Sequence, residues 1–186
     1  MTAEKESNRS RALTLRSASI GFFILNTLGY ITYYLYPAAP PWYADLNGLH
    51  PLSSHAVAHT VPNAAGALAF DQWVGLEIFS KMYGMSADVF GAVPSLHIAY
   101  PALILTLALR TRRGVGISLV YFVGMVFSAI YLNHHYIFDA LWGVIYGVAV
   151  GQICERLLSG ASFVLSGKKS GLSKKRGVSP GPQAGT

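Results

Sequence analysis

Four apolar runs, each close to the ~20 residues that cross a bilayer's hydrocarbon core as a helix, limit what this chain can become more than any motif in it. They cover residues 18–36, 93–109, 115–132 and 136–157. A segment inside lipid must satisfy its own backbone polar groups, which selects helices. The expected fold class is therefore all-α, a polytopic membrane helix bundle of about four transmembrane helices. Charge agrees: 12% of the residues are charged, about half the ~25% of an average soluble domain.

The cations sit at the ends of the runs. Lys5, Arg9, Arg11 and Arg16 precede the first, Arg110, Arg112 and Arg113 separate the second from the third, and Lys168, Lys169, Lys174, Lys175 and Arg176 follow the fourth. Alternating spans put all of them on one side, and the positive-inside rule makes that side cytoplasmic, with both termini inside. The chain then divides into a basic cytoplasmic N-terminus (1–17), a membrane-embedded domain (18–157) and a basic cytoplasmic tail (158–186). From residue 166 the tail's Gly, Ser, Lys and Pro content predicts disorder. The first run is expected to be a retained anchor, because no small-residue cleavage site follows it and Tyr30, Tyr33, Tyr34 and Tyr36 form an interfacial belt at its end. Nucleic acid is not an expected partner: the net charge of +6 sits beside membrane spans, where topology and anionic lipid account for it.

The opposite side carries the chemistry. Residues 37–91 hold Asp45, Asp71, Glu77 and Asp88 against a single cation, Lys81. All six histidines fall on this face: His50, His55 and His59 in the loop, His97 at the start of the second run, His134 and His135 at the start of the fourth. Histidine is costly in hydrocarbon, which explains part of the pattern but not its concentration at two helix mouths. Residues 64–83 have the apolar spacing of an interfacial helix, with Leu68, Trp73, Leu76, Ile78 and Phe79.

Two stretches point to a reaction. In Tyr131-Leu-Asn-His-His-Tyr-Ile-Phe-Asp139, His135 and Asp139 stand four apart at the start of a helix. A carboxylate one turn from an imidazole can fix its tautomer and stabilise its positive charge, as a nucleophilic or general-base histidine requires. In Phe90-Gly-Ala-Val-Pro-Ser-Leu-His-Ile-Ala-Tyr-Pro101, Pro94 and Ser95 are ordinary helix-start residues, and His97 lies just inside. A helix N-terminus with such a histidine suits a phosphate. Gly143, Gly147 and Gly151 continue the ridge from His135 and Asp139, which places a close helix neighbour, expected to carry His97, on that side. His55 and His59 have metal-like spacing but no cysteine or carboxylate completes a set, so no metal is expected. Asp71 and Glu77 read as surface charges, and the lone Cys154 as an inert buried thiol.

These two stretches, in this order, resemble the second and third signature motifs of the type 2 phosphatidic acid phosphatase superfamily. Within it they are most similar to the inositol phosphorylceramide synthase branch, and Pro40-Pro-Trp-Tyr43 resembles that branch's short aromatic motif. The resemblance implies a membrane lipid phosphotransferase in which His135 attacks phosphorus, Asp139 orients it, and His97 serves as acid and then base through a phosphohistidine intermediate. It implies an inositol-phosphate-type head group moving from a phospholipid donor to a lipid hydroxyl, with no cofactor. Water as acceptor would make it a phosphatase of phosphatidic acid or a polyprenyl pyrophosphate. A catalytically degenerate lipid-binding relative is the remaining alternative.

The pattern is not complete. Where the superfamily's third motif has Ser-Arg, this chain has Ser128-Ala129, and its first, Lys/Arg-containing motif is missing. Ser95 at the helix start, His134 and Lys81 are the candidates left to bind the phosphate, since a transferring phosphoryl group needs donors around its oxygens. The expected setting is a bacterial plasma membrane with the site on the exoplasmic face. Homo-oligomers are compatible with all of this.

Overall fold

A computed structural model describes residues 2–51, 53–85 and 89–176. Its elements are α1 (Thr2–Leu35), α2 (Pro41–Asn47), α3 (Ser54–His59), a 3-10 turn (Ala65–Ala67), α4 (Leu68–Val74), α5 (Ile78–Gly84), α6 (Leu96–Thr111), α7 (Val115–Tyr131) and α8 (Ile137–Arg176). Among the described residues there is no strand, only an isolated bridge between Ala38 and Gly91, so the chain is all-α. Two segments are long and apolar enough to cross a membrane, Arg11–Leu35 of α1 and Ile137–Leu158 of α8. Helices α6 and α7 are apolar but shorter, 16 and 17 residues.

The centre of the bundle is α6, which packs against α1, α7 and α8. Its inward residues Leu96, Ala99, Leu103 and Leu107 form one core with Leu25 of α1 and Val150 and Cys154 of α8. Ile98, on another side of α6, meets Ala129 of α7 and Ala140 of α8. What brings α8 so close is its glycine ridge. A Cβ at Gly143 would stand 2.4 Å from the Ser95 carbonyl oxygen, and one at Gly147 would stand 2.4 Å from that of Ala99. Any side chain at either position would push the two backbones apart. Gly151 is looser, 3.2 Å from Leu103 and Thr106 side chains. The ridge thus faces α6, the helix that carries His97. Near the other end Arg110 of α6 is paired with Glu155 of α8.

The outer segment differs from expectation. Instead of one interfacial helix over residues 64–83, the chain makes a 3-10 turn and two short helices with a corner between them. Gly75 ends α4 in the left-handed conformation (φ 73°), which glycine adopts without the Cβ penalty. Asp71 then holds the corner: its carboxylate accepts hydrogen bonds from the backbone N–H groups of Ile78, Phe79 and Ser80 and from the Ser80 hydroxyl. Those are the unpaired donors of the α5 N-terminus. Burial works to raise the Asp71 carboxyl, but these hydrogen bonds outweigh it and hold the group below the usual carboxylate range. Asp71 is therefore a buried cap and not the surface charge its composition suggested.

At the other end, α8 runs on to Arg176, so the stretch after residue 166 read as disordered is helical as far as that residue. Extending an existing helix by a residue is far easier than nucleating one, which composition alone does not register. The remainder of the tail, and Asp88, lie outside the described residues.

Candidate active site

The two histidine stretches meet because two backbone turns are tied together. After α7 the chain reverses through Asn133, in the left-handed conformation (φ 61°), which Asn tolerates better than most residues. The Ala129 carbonyl accepts from the N–H groups of both His134 and His135, at 3.1 Å each. The outer segment grips this turn: Trp42 N–H donates to the Asn133 carbonyl, Gly66 N–H to that of Leu132, and the Asn133 amide to Asp45. Finally Ser95 N–H donates to the Asp139 carbonyl at 3.1 Å, joining the start of α6 to the first turn of α8.

Across that junction His97 Nδ1 lies 3.2 Å from His135 Nε2. His135 Nδ1 lies 3.1 Å from the Ala92 carbonyl oxygen, which can only accept. In the neutral ring the proton therefore sits on Nδ1 and the lone pair on Nε2, facing His97, whose Nδ1–H donates to it. His135 is buried (7% exposed) with Asp139 behind it (1%), while His97 is open to solvent. Asp139 Oδ2 is 3.6 Å from His135 Nδ1, outside hydrogen-bond range, and accepts instead from the Tyr136 N–H at 2.9 Å. The hydrogen bond expected of Asp139 to the ring is thus made by a backbone carbonyl. The carboxylate caps α8 and acts on His135 through its charge.

Both rings line a cavity of about 300 Å3, together with His134, Asn63, Trp42 and the tyrosines Tyr30, Tyr33, Tyr83 and Tyr100. Its described lining contains no lysine or arginine. His134 is buried, stacked on Tyr83 with ring centroids 4.7 Å apart and 5° between planes, and hydrogen-bonded to the Ala64 backbone. Burial first, and the neighbouring His135 second, push His134 down to about 4.

Two phosphate-binding candidates fall elsewhere. Lys81 is exposed and paired with Glu77 at 3.3 Å; α5 presents Tyr83, not Lys81, to the cavity. Ser95 is fully buried, and its hydroxyl has no partner and does not line the cavity, since the helix start is packed under Gly143. Ala129 packs against Ile98 and Ala140, so the position where the superfamily has arginine is apolar core here. Sequence reasoning missed the tyrosines and Ala92. Tyr30 and Tyr33 read only as a membrane-interface belt, and a backbone carbonyl leaves no mark in a side-chain pattern. His55 and His59 lie with ring centroids 4.5 Å apart and planes tilted by 43°, and among the described residues no group of three His, Cys, Asp or Glu gathers to hold a metal ion.

The family model for the PAP2 superfamily matches residues 7–153. The chain is 42% identical over 139 residues to a phosphoinositol dihydroceramide synthase of Bacteroides thetaiotaomicron, covering 73% of this chain and 44% of that protein. It is 32% identical over 142 residues to an inositol phosphorylceramide synthase of Candida albicans, covering 76% and 29%. Over 87 residues it is 38% identical to inositolphosphotransferase 1 of Saccharomyces cerevisiae, covering 46% and 16%. The chain therefore spans less than half the length of these curated relatives. No solved structure matches it.

Proposed function

The chain belongs to the PAP2 superfamily, and on that premise we propose that it is a membrane lipid phosphotransferase that moves a polyol-phosphate head group, of the inositol-phosphate type, from a phospholipid to a lipid hydroxyl. The observation that carries this reading is the His97 Nδ1 to His135 Nε2 contact of 3.2 Å inside one cavity. A lone-pair nitrogen facing a second imidazole is a nucleophile with its acid/base partner in line.

The donor phosphodiester enters between the rings. His135 Nε2 forms a bond to phosphorus as the bond from phosphorus to the diacylglycerol oxygen breaks. His97, protonated on both nitrogens beside the phosphate's negative charge, gives its Nδ1 proton to the departing oxygen. The acceptor hydroxyl then attacks the phosphohistidine, His97 takes its proton, and the P–N bond breaks to restore both rings. Asp139 opposes the positive charge on His135 while the intermediate exists, and the Ala92 carbonyl holds the ring's other nitrogen.

The same cavity favours a diester over a monoester. One protonated imidazole among neutral tyrosine hydroxyls, with no lysine or arginine in the described lining, suits a single negative charge better than two. We place the site on the exoplasmic face of a bacterial plasma membrane, with α1, α6, α7 and α8 as four spans and both termini cytoplasmic. The arginines beside α6 and α7 support that orientation.

The test is purified protein in detergent micelles given labelled ceramide with phosphatidylinositol, and separately phosphatidic acid, with products resolved by chromatography. Transfer to ceramide that His135→Ala abolishes is the expected result. Wild type and His135→Ala behaving alike on every lipid would overturn the assignment.

A further inference from the structure

The cavity holds one ring nitrogen that the reaction above does not use. His134 Nε2 is buried and has no hydrogen-bond partner, although the residue is 92% buried and lines the same cavity as His97 and His135. Its other nitrogen is accounted for. The Ala64 backbone bond favours the charged ring, so it is a carbonyl accepting from the imidazole, and with Nε2 unpartnered the donor is Nδ1–H. The neutral tautomer is then fixed: proton on Nδ1, lone pair on Nε2. A half-turn of the ring would keep the stack on Tyr83 but set a C–H in place of Nδ1–H against the Ala64 carbonyl, so that bond holds the orientation.

A buried lone pair without a donor is an acceptor waiting for one. It repels phosphate oxygens, which are also acceptors, so the phosphate-binding role suggested by position is the wrong polarity for this nitrogen. We propose that His134 Nε2 receives a hydroxyl hydrogen of the substrate, making His134 a specificity residue for a hydroxyl-bearing ligand. Burial, which keeps the ring neutral near pH 7, supports the same polarity. The hydroxyl belongs either to the polyol head group of the donor or to the acceptor lipid, and the two sources are separable. This inference rests on the phosphotransferase reading for its kinetic arm only.

The variants are His134→Phe, which keeps the stack and loses the nitrogen, and His134→Gln, whose amide oxygen can stand near Nε2 and accept. In the kinetic arm, His134→Phe is expected to raise KM at least tenfold for one hydroxyl-bearing substrate. A rise for phosphatidylinositol assigns the head group, and a rise for ceramide assigns the acceptor. Cleavage of phosphatidylethanol, a diester whose head group carries no hydroxyl, changes less than twofold, and His134→Gln recovers part of the KM loss. Equal losses on phosphatidylinositol, ceramide and phosphatidylethanol would mean a merely structural role and overturn the proposal, as would no change on any of them.

The second arm needs no turnover. In 15N-histidine-labelled full-length protein, the His134 Nε2 resonance is expected in the unprotonated range and to shift on adding myo-inositol or short-chain ceramide. If wild type is inactive on every lipid, the functional reading fails while this arm still decides. A protonated Nε2 in the free protein, or no shift with either ligand, sinks the inference.

Discussion

Asp139 Oδ2 stands 3.6 Å from His135 Nδ1 and 2.9 Å from the Tyr136 backbone nitrogen, so one carboxylate opens the helix and sets its charge beside the His135 ring at once. The two duties separate on substitution. Asp139→Asn keeps an oxygen for the Tyr136 N–H and loses the charge; folding is expected to hold while kcat falls about 10- to 100-fold, or about 1.4–2.8 kcal/mol of barrier. Asp139→Ala loses both, and its unfolding free energy should drop by a further ~1 kcal/mol for the missing cap. Paired activity and detergent melting measurements distinguish the variants.

In the mechanism proposed above, removing His97 takes away the proton donor and leaves the nucleophile. With a natural lipid, His97→Ala is expected to slow turnover by about 10²- to 10⁴-fold, the usual contribution of a positioned acid or base. A donor with a good leaving group, such as a p-nitrophenyl phosphodiester, needs no acid for the first step. On that donor His97→Ala should accumulate phosphohistidine, detected as acid-labile, base-stable label on the protein. Absence of label from both wild type and variant would count against His135 as nucleophile.

The α6–α8 contact makes a graded prediction along one ridge. Alanine at Gly143 or Gly147 would bring a methyl 2.4 Å from a backbone oxygen of α6, and backbone cannot step aside as a side chain can. A loss of about 1–3 kcal/mol is expected for each, the range for overpacking, with activity falling because Ser95 and Ala99 flank His97. Gly151→Ala meets only side chains at 3.2 Å and should be much milder. Melting temperatures of the three variants in one detergent would show whether the order holds.

Stability should also depend on pH through His134. Its folded value is about 4 against 6.5 for the free side chain, so between those values the unfolded chain binds more protons. Stability from this group is then full above about pH 6.5 and is lost as pH falls towards 4. The charged and titratable groups that face it are His97, His135 and Tyr83 in the same cavity, with Asp139 behind. The His134→Phe protein supplies the control: its melting temperature should decline less over that window than that of wild type.

The helices were legible from sequence because lipid leaves a chain few choices, and the meeting of His97 with His135 was foreshadowed by glycines every fourth residue after Asp139. The details that failed share a cause. Asp71 looked like a surface acid because its partners are backbone N–H groups seven to nine residues on, which have no letter in a sequence. Ala92 was invisible as the orienter of His135 for the same reason. Lys81 was assigned to the phosphate by charge alone, and only the facing of a short helix decides that Tyr83 turns inward and Lys81 outward.

The shortness of α6 has a consequence for how lipids reach the site. At 16 residues and about 1.5 Å per residue it measures about 24 Å, several ångströms less than a typical hydrocarbon core of about 30 Å. In the four-span arrangement proposed above, the bilayer around α6 would thin to match it. The leaflet surface would dip beside His97, and a donor's phosphate could enter from the side, at its own depth, with both acyl chains still in the membrane.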